Sequence, residues 1–409
     1  MSRFKTAGGK VVGSWGLVMA AVLYPSGFAR AEASPYYFGA SETFTHESNL
    51  FKVSSANNPQ SDNIWATSIF AGVDQPFGRQ RVRGNLTVTN NHYVDQSQLN
   101  FNGYSVLGAL DWATIGRLSG TLSYSRNESQ GDYGSLSTPD TGKFLQTTEQ
   151  IVASVKYELN SSLSLVGALE HRTINSPDQP QTLSSDTTSD VARLGLTYGL
   201  GASTVVGTGV RFTRDKTPQA SGGDDTNDRT DLDLTAVWTP SPLTSVDARL
   251  SFGDGDSGSQ GGSNSRVTGA IGANYSPTGR LKFRGSFSRE TGVDSTFLPT
   301  GSTPTGGVAG TYVDNNSVTN WTNLGVTYLL SSKISLNAGY NRSDGSQDQT
   351  NGQTSKNIVN RYSLGAQYAI GRNFALGCGY QREERSESTS EFNSYTAKTA
   401  NCSLSYTIQ

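Results

Sequence analysis

Few residues in this chain could do covalent or metal chemistry, and they are scattered. His46, His92 and His171 are all the imidazoles in 409 residues. Each stands near the end of an alternating run, and none has the spacing that implies a Ser-His-acid set. No catalytic residue is expected. Asp254-Gly255-Asp256 offers two carboxylates around a glycine, a beginning for a divalent-cation loop. No further ligand spacing supports it, and a solvated surface loop is the simpler reading. Phosphate-binding glycine motifs and zinc spacings are missing, so neither a cofactor nor a metal is expected. Cys378 and Cys402 complete the inventory.

The regular feature is aromatic. Trp112, Tyr157, Tyr198, Trp238, Tyr275, Tyr328, Tyr368 and Tyr406 each stand just before a short turn or the chain end. After six of these a second aromatic follows 12 or 14 residues on: Tyr124, Phe212, Phe252, Phe287, Tyr340 and Tyr380. Even spacing puts both rings on one face of a strand. Aromatics at both ends of one face are the two girdles of a transmembrane β-barrel. A soluble sandwich alternates too, but has no need of a ring at each strand end.

The first residues and the composition agree with export. Arg3, Lys5 and Lys10 precede an uncharged apolar run over 11–24, too short to span a membrane as a helix. Small residues then allow cleavage after Ala31 or Ala33, which reads as a secretory signal peptide over 1–31 and a barrel over 34–409. Cleavage after Ala31 removes four of the 32 basic residues, leaving 28 against 34 acidic, a net charge of −6. A mildly acidic chain lacks the basic face that nucleic acid requires. The hydrophobic fraction of 34% is low for a globular chain this long, as expected where only alternate residues meet lipid.

The repeat is strand, short turn, strand, long polar loop, with a period of about 40 residues. Short turns are read at 76–78, 114–116, 160–161, 200–202, 239–242, 276–279, 329–332 and 370–372, and long loops at 128–143, 216–225, 254–263, 291–315 and 344–356. With a first strand near 35–46 and a last near 393–408, the expectation is an all-β, antiparallel up-and-down barrel of about 18 strands. Its turns are periplasmic, its loops extracellular, and its surroundings are outer-membrane lipid. Strand character begins close to the cleavage site, leaving no room for a plug, and a barrel this wide encloses water. The loop at 291–315 is the candidate to fold inward and narrow it.

Alternation assigns faces. Leu281, Phe283, Gly285 and Phe287 face lipid while Lys282 and Arg284 face the lumen, because the reverse would set Arg284 in hydrocarbon at about 2–4 kcal/mol. The same phase puts Leu118, Gly120, Leu122 and Tyr124 outside with Arg117 inside, and Ile334, Leu336, Ala338 and Tyr340 outside. Over 64–73 both phases compete, Trp65, Thr67, Ile69, Ala71 and Val73 against Ile64, Ala66, Ser68 and Phe70. Carried around the barrel, the phase collects Arg83, Arg117, Lys156, Arg193, Arg211, Arg249, Arg266, Lys282, Arg284 and Arg361 in the lumen, with Asp111, Glu158, Asp231, Asp233 and Asp247. Such a lining suits a hydrated polymer or polar solute; equally, inward positions of any wet barrel must be polar. A hairpin centred on Ser390 sets Cys378 opposite Cys402, within disulfide range, or makes them two small apolar fillers side by side.

The N-terminal third resembles the EpsL-like outer-membrane barrels encoded in exopolysaccharide operons. The resembling residues are Gln75-Pro76-Phe77, Gln80-Arg81, Asn91 with Tyr93, Phe101-Asn102-Gly103-Tyr104, Trp112 and the run from Arg117 to Arg126; Tyr275-Ser276-Pro277-Thr278-Gly279-Arg280-Leu281 repeats the rhythm. Such barrels usually finish on an aromatic, whereas this chain stops at Ile408-Gln409. The resemblance implies a passive outer-membrane porin that secretes a polysaccharide, working with a periplasmic polysaccharide-export protein. A diffusion porin for small polar solutes is the alternative, and a barrel enzyme active at the rim a third.

Overall fold

The computed structural model describes residues 34–135, 141–176, 186–218, 224–257, 262–263, 266–291, 317–348, 354–387 and 394–409. The leader at 1–31 and the 291–315 loop beyond Thr291 lie outside them. The strands are β1 (Tyr36–Glu47), β2 (Asp62–Phe77), β3 (Gln80–Tyr93), β4 (Phe101–Ala113), β5 (Leu118–Gln130) and β6 (Leu145–Glu158). Next come β7 (Leu163–Asn175), β8 (Thr187–Leu200), β9 (Thr204–Pro218), β10 (Asp224–Ser241), β11 (Thr244–Ser257) and β12 (Arg266–Tyr275). The last are β13 (Leu281–Thr291), β14 (Ser317–Leu329), β15 (Ile334–Asp348), β16 (Thr354–Ile370), β17 (Phe374–Glu387) and β18 (Tyr395–Ile408).

Each strand pairs antiparallel with the next, and β1 pairs with β18 as well as β2, closing a barrel of 18 strands. A two-residue ladder, Gly262–Ser263, extends β11 at its tip. Short connections close the periplasmic end. Gly78, Gly201 and Gly371 stand in three of them at φ of 61°, 72° and 71°, the left-handed region that tight hairpins need and that a Cβ disfavours.

Outward faces are apolar between two aromatic levels, and side chains there are exposed, among them Leu194, Leu196 and Tyr198 on β8 and Phe283 and Phe287 on β13. Rings on neighbouring strands meet within the girdles: Phe374 with Tyr406 at 4.7 Å, Phe44 with Trp65 at 5.0 Å and Tyr340 with Tyr362 at 5.2 Å between centroids. Such pairs add about 1 kcal/mol each beyond area burial. β2 takes the phase that turns Trp65 and Ile69 outward. Its inward alternative fails because Ile64 is needed against the loops and Phe70 lies over Gly39, whose missing side chain leaves the room.

The strands outlast the membrane. β10 has 18 residues and β16 has 17, more than the ~25 Å apolar band requires. Consequently Asp254, Gly255 and Asp256 do not form a loop. They continue β11, opposite Thr230, Arg229 and Asp228 of β10. Cys378 faces Cys402 in the ladder, as the hairpin register requires, and the two form a disulfide on the outward face with Cα atoms 4.1 Å apart.

Among the described residues Glu42 is the one charged group that faces outward between the girdles, one rung from Tyr406, held by the Thr67 hydroxyl at 2.7 Å. Replacing Glu42 with Leu removes a carboxylate from hydrocarbon, and we expect the folded barrel to gain about 1–2 kcal/mol in a lipid-based unfolding titration. An unchanged or lowered midpoint contradicts a lipid-facing Glu42. The strand phase is checked separately. In intact outer membranes a water-soluble thiol reagent should label Arg284→Cys and leave Phe283→Cys unlabelled, and the reverse would overturn the assignment.

Candidate functional site: the lumen wall and the inward-folded loops

The inward face divides into two walls. From β7 to β13 most of the charges pair within the wall, between adjacent strands, along β10 and across β12. Arg193 Nη2 donates to Glu170 at 3.3 Å. Arg211 lies 3.2 Å from both Asp231 and Asp233, Arg229 Nε donates to Asp231 at 2.8 Å, and Ser251 Oγ donates to Asp233 at 2.5 Å. Arg249 pairs with Glu290. These groups do not front open water as the alternation alone implied: Arg211 is 0% exposed, Asp231 1%, Asp233 2% and Arg249 4%. The reason is local. Opposite charges find one another within the wall, and removing one partner of a pair so buried is strongly destabilising.

The remaining lumen candidates fall in several places. Arg83 donates to Asp111 at 2.8 and 3.0 Å, and Thr121 adds a third bond to that carboxylate. Lys156 and Glu158 pair with each other at 2.9 Å at the periplasmic edge of β6, where Lys156 stands on the outward-opposed phase to Tyr157. Lys282 and Arg284 are exposed to the lumen, Arg284 donating to Asn274 at 3.2 Å. Asp247 is half-buried on the inward face of β11. Arg266 opens β12 on the inward phase, and its side chain lies outside the described residues. Arg117 departs from expectation: it sits in the 114–117 turn and donates to the Leu159 carbonyl at 2.6 Å, so it braces two periplasmic turns instead of lining the lumen. The histidines all face outward at the loop end, bonded to Asn63, Asn100 and Asp190.

From β14 to β18 the inner wall is different. Below the level of Arg361 and Glu383 its side chains are amides, hydroxyls and glycines, including Asn337, Gln367, Asn401 and Ser403. Asn341 donates to Asn323 at 2.7 Å, Asn323 to Ser286 at 3.2 Å, and Trp321 stands one rung farther out on the same inward face. Among the described residues no charged side chain stands on this wall below that level.

Three extracellular segments, 48–61, 94–100 and the described parts of the third loop, 131–135 and 141–144, fold together over the mouth. Leu50, Phe51, Val53, Tyr93, Leu99, Tyr133 and Phe144 form a miniature core, backed by Ile64 and Phe101. The Tyr133 ring meets Phe51 and Phe144 edge-on, at 5.1 and 5.2 Å. Asn49 clamps Val53 through both backbone groups, and Asp62 accepts the backbone N–H groups of Val94, Asp95 and Gln96. Asn49 thus satisfies the backbone of its own loop and Asp62 that of the next, which keeps buried polar groups paired.

That unit is tied to the far wall. Lys52 Nζ lies 2.8 Å from Asp132 and 2.9 Å from Glu383, an inward residue of β17. Glu383 also pairs with Arg361 of β16 and accepts the Tyr395 hydroxyl of β18 at 2.6 Å. Arg385 donates to the Gly134 carbonyl. Because six strand intervals separate β5 from β17 around the barrel, these contacts draw Asp132 and Gly134 inward over the opening. Lys52 adopts φ 51°, a left-handed conformation costly for a side-chain-bearing residue and sustained only where surroundings fix it. Burial alone would lower the Lys52 ammonium, but Asp132, Glu383 and Tyr395 hold it well above its usual range. Glu383 stands three residues beyond the Tyr380 girdle, outside the membrane. Burial would raise its carboxyl, and Lys52 and Arg361 overcome that and hold it well below the usual carboxylate range. The loop at 291–315, the candidate to fold inward, lies outside the described residues beyond Thr291; Phe51, Leu99 and Phe144, apolar residues in polar loops, are the sequence signal for these three segments.

The closed sheet, its lipid-facing girdles and its loop-covered mouth define an integral outer-membrane β-barrel. No family model matches the chain, and no curated protein matches it. Among solved structures it is similar to OpdO of Pseudomonas aeruginosa, at 12% identity and TM-score 0.47 over 91% of this chain and 96% of that one. OpdK of the same organism has 12% identity and TM-score 0.46 over 91% and 98%. The FrpB iron transporter of Neisseria meningitidis has 9% identity and TM-score 0.48 over 92% and 83%.

The ion group sets the loops' pH response. A lowered Glu383 contributes stability above its ordinary pKa that is lost as pH falls through the folded value; a raised Lys52 contributes below its ordinary pKa and fails only as pH rises through the folded one. The lock is therefore intact from about pH 5 to about pH 9. Glu383→Gln leaves Lys52 and Arg361 with Asp132 as their remaining carboxylate, at about 1–3 kcal/mol. Protease added to intact cells should cut the 131–144 loop in this variant much faster than in the wild type, at every pH in that window. Equal cutting rates would show that the lock does not hold the loop.

Proposed function

We propose that this barrel is a passive diffusion porin for small polar solutes, favouring uncharged, hydroxyl-rich ones. The observation that carries the reading is the division of the lumen. Most charges of the β7–β13 wall are spent on each other, with Lys282 and Arg284 left exposed, and the adjoining β14–β18 wall offers amides, hydroxyls and the Trp321 ring. A neutral solute can exchange water for such groups at small cost, whereas an ion meets no wall of one sign to select it. The loop unit across the mouth supports a limit on size, which favours small solutes over a bulky polymer.

Secretion of a polysaccharide is the second reading, carried by the resemblance of the first three hairpins to exopolysaccharide-operon barrels. An uncharged hydrogen-bonding wall also suits a polymer chain, and a periplasmic export protein would then be the partner. In planar bilayers we expect measurable conductance with weak ion selectivity. In liposome swelling, neutral sugars should enter at least several times faster than anions of equal size. A deletion strain should take up small polar solutes slowly while keeping normal surface polysaccharide. Loss or trapping of a surface polysaccharide with normal uptake would replace the diffusion reading with the export one.

A further inference from the structure

On five of the strands that rise from the periplasm, the aromatic or neighbouring girdle residue is followed two places on by arginine. The pairs are Tyr124 and Arg126 on β5, Phe212 and Arg214 on β9, Phe287 and Arg289 on β13, Tyr340 and Arg342 on β15, and Tyr380 and Arg382 on β17. Two residues along a strand is one step on the same face. Each guanidinium therefore stands just outside the outer girdle, facing away from the barrel. His46 follows Phe44 on β1 and His171 follows Leu169 on β7 in the same manner.

These arginines are exposed and oriented. Arg126 sits 5.8 Å from the Tyr104 ring and 3.4 Å from Glu149. Arg214 meets Asp228 through two bonds of 2.7 and 2.8 Å. Arg342 donates to Asp344 at 3.1 Å, Arg382 pairs with Glu384, and Arg289 donates to the Asn320 side chain at 3.4 Å. Exposed ion pairs of this kind contribute little to stability. A guanidinium has five N–H donors, and one carboxylate takes at most two of them. The pairs hold each side chain against the wall and leave donors pointing into the layer where lipid headgroups lie. Arginine offers planar, two-point recognition of phosphate where a lysine would offer only a point charge.

We propose that this collar is a docking surface for phosphate-bearing glycolipid of the outer leaflet. The aromatic beneath each arginine packs on the acyl boundary, the guanidinium takes the phosphate, and the repeat around the barrel gives several lipid sites at one depth. This surface is separate from the lumen, so the inference stands whatever solute the barrel passes.

The test uses the intact barrel with all five arginines changed to glutamine, and a milder Arg214→Gln, Arg382→Gln double variant in case the full set fails to fold. Heat-modifiable migration and bilayer conductance report a native barrel. Native mass spectrometry is run with lipid A carrying two phosphates, with its dephosphorylated form, and with inorganic phosphate. The wild type should retain the diphosphorylated lipid, the fivefold variant at least tenfold less and the double variant an intermediate amount, while neither dephosphorylated lipid nor inorganic phosphate is retained. Equal retention by folded variants, retention of the dephosphorylated lipid, or displacement of lipid by inorganic phosphate would overturn the proposal.

Discussion

Hydrocarbon offers no partner to a peptide N–H or C=O, and each group left unpaired there costs several kcal/mol. A sheet can meet that demand only by closing on itself. The ladder between β1 and β18, from Phe38 opposite Ile408 to Glu47 opposite Thr399, is therefore the contact on which the rest depends. Closure fixes which neighbour every strand has, and strict alternation then divides the side chains into a lipid face and a lumen face. The girdles, the disulfide hairpin and both lumen walls are consequences of that single requirement.

The two faces solve different problems. Outside, side chains are graded by depth: aliphatic at the centre, aromatic at the margin, arginine one step beyond. Inside, polarity is obligatory, and what varies is whether charges remain available. Between β7 and β13 Arg211, Arg249 and their carboxylates are packed out of solvent against each other, and Lys282 and Arg284 stay exposed. Between β14 and β18, below the level of Arg361 and Glu383, the same inward phase is filled mainly with uncharged donors and acceptors. A solute in the lumen therefore meets a rigid ionic wall and a neutral hydrogen-bonding one.

The mouth adds a third layer. Segments 48–61, 94–100, 131–135 and 141–144 have their own apolar core, so they behave as one body, and Lys52, Asp132, Glu383 and Arg361 join that body to the wall. The strained backbone at Lys52 and the buried Glu383 carboxylate mark where this join is concentrated.

Much of this was legible in the sequence because barrel strands obey local rules. Period-2 alternation and paired aromatics locate strands, turns and faces without any long-range information, and the hairpin arithmetic that opposed Cys378 to Cys402 needed only one turn to be centred. The β2 phase was ambiguous because both its faces are apolar. Ile64 and Phe70 face inward for reasons that lie elsewhere, against the loop core and over Gly39. The fate of the lumen charges was equally hidden, since Arg211 reads as a pore-lining cation until Asp231 and Asp233 are seen beside it. Lys52 and Glu383 are 331 positions apart, and no periodicity links them. The sequence by itself determined which residues must leave water and which must stay in it, because that is a property of each side chain and its place in an alternating strand. Only the tertiary structure decided which charges neutralise one another and which loops cross the opening, because those contacts form between segments that barrel closure, and not sequence proximity, brings together.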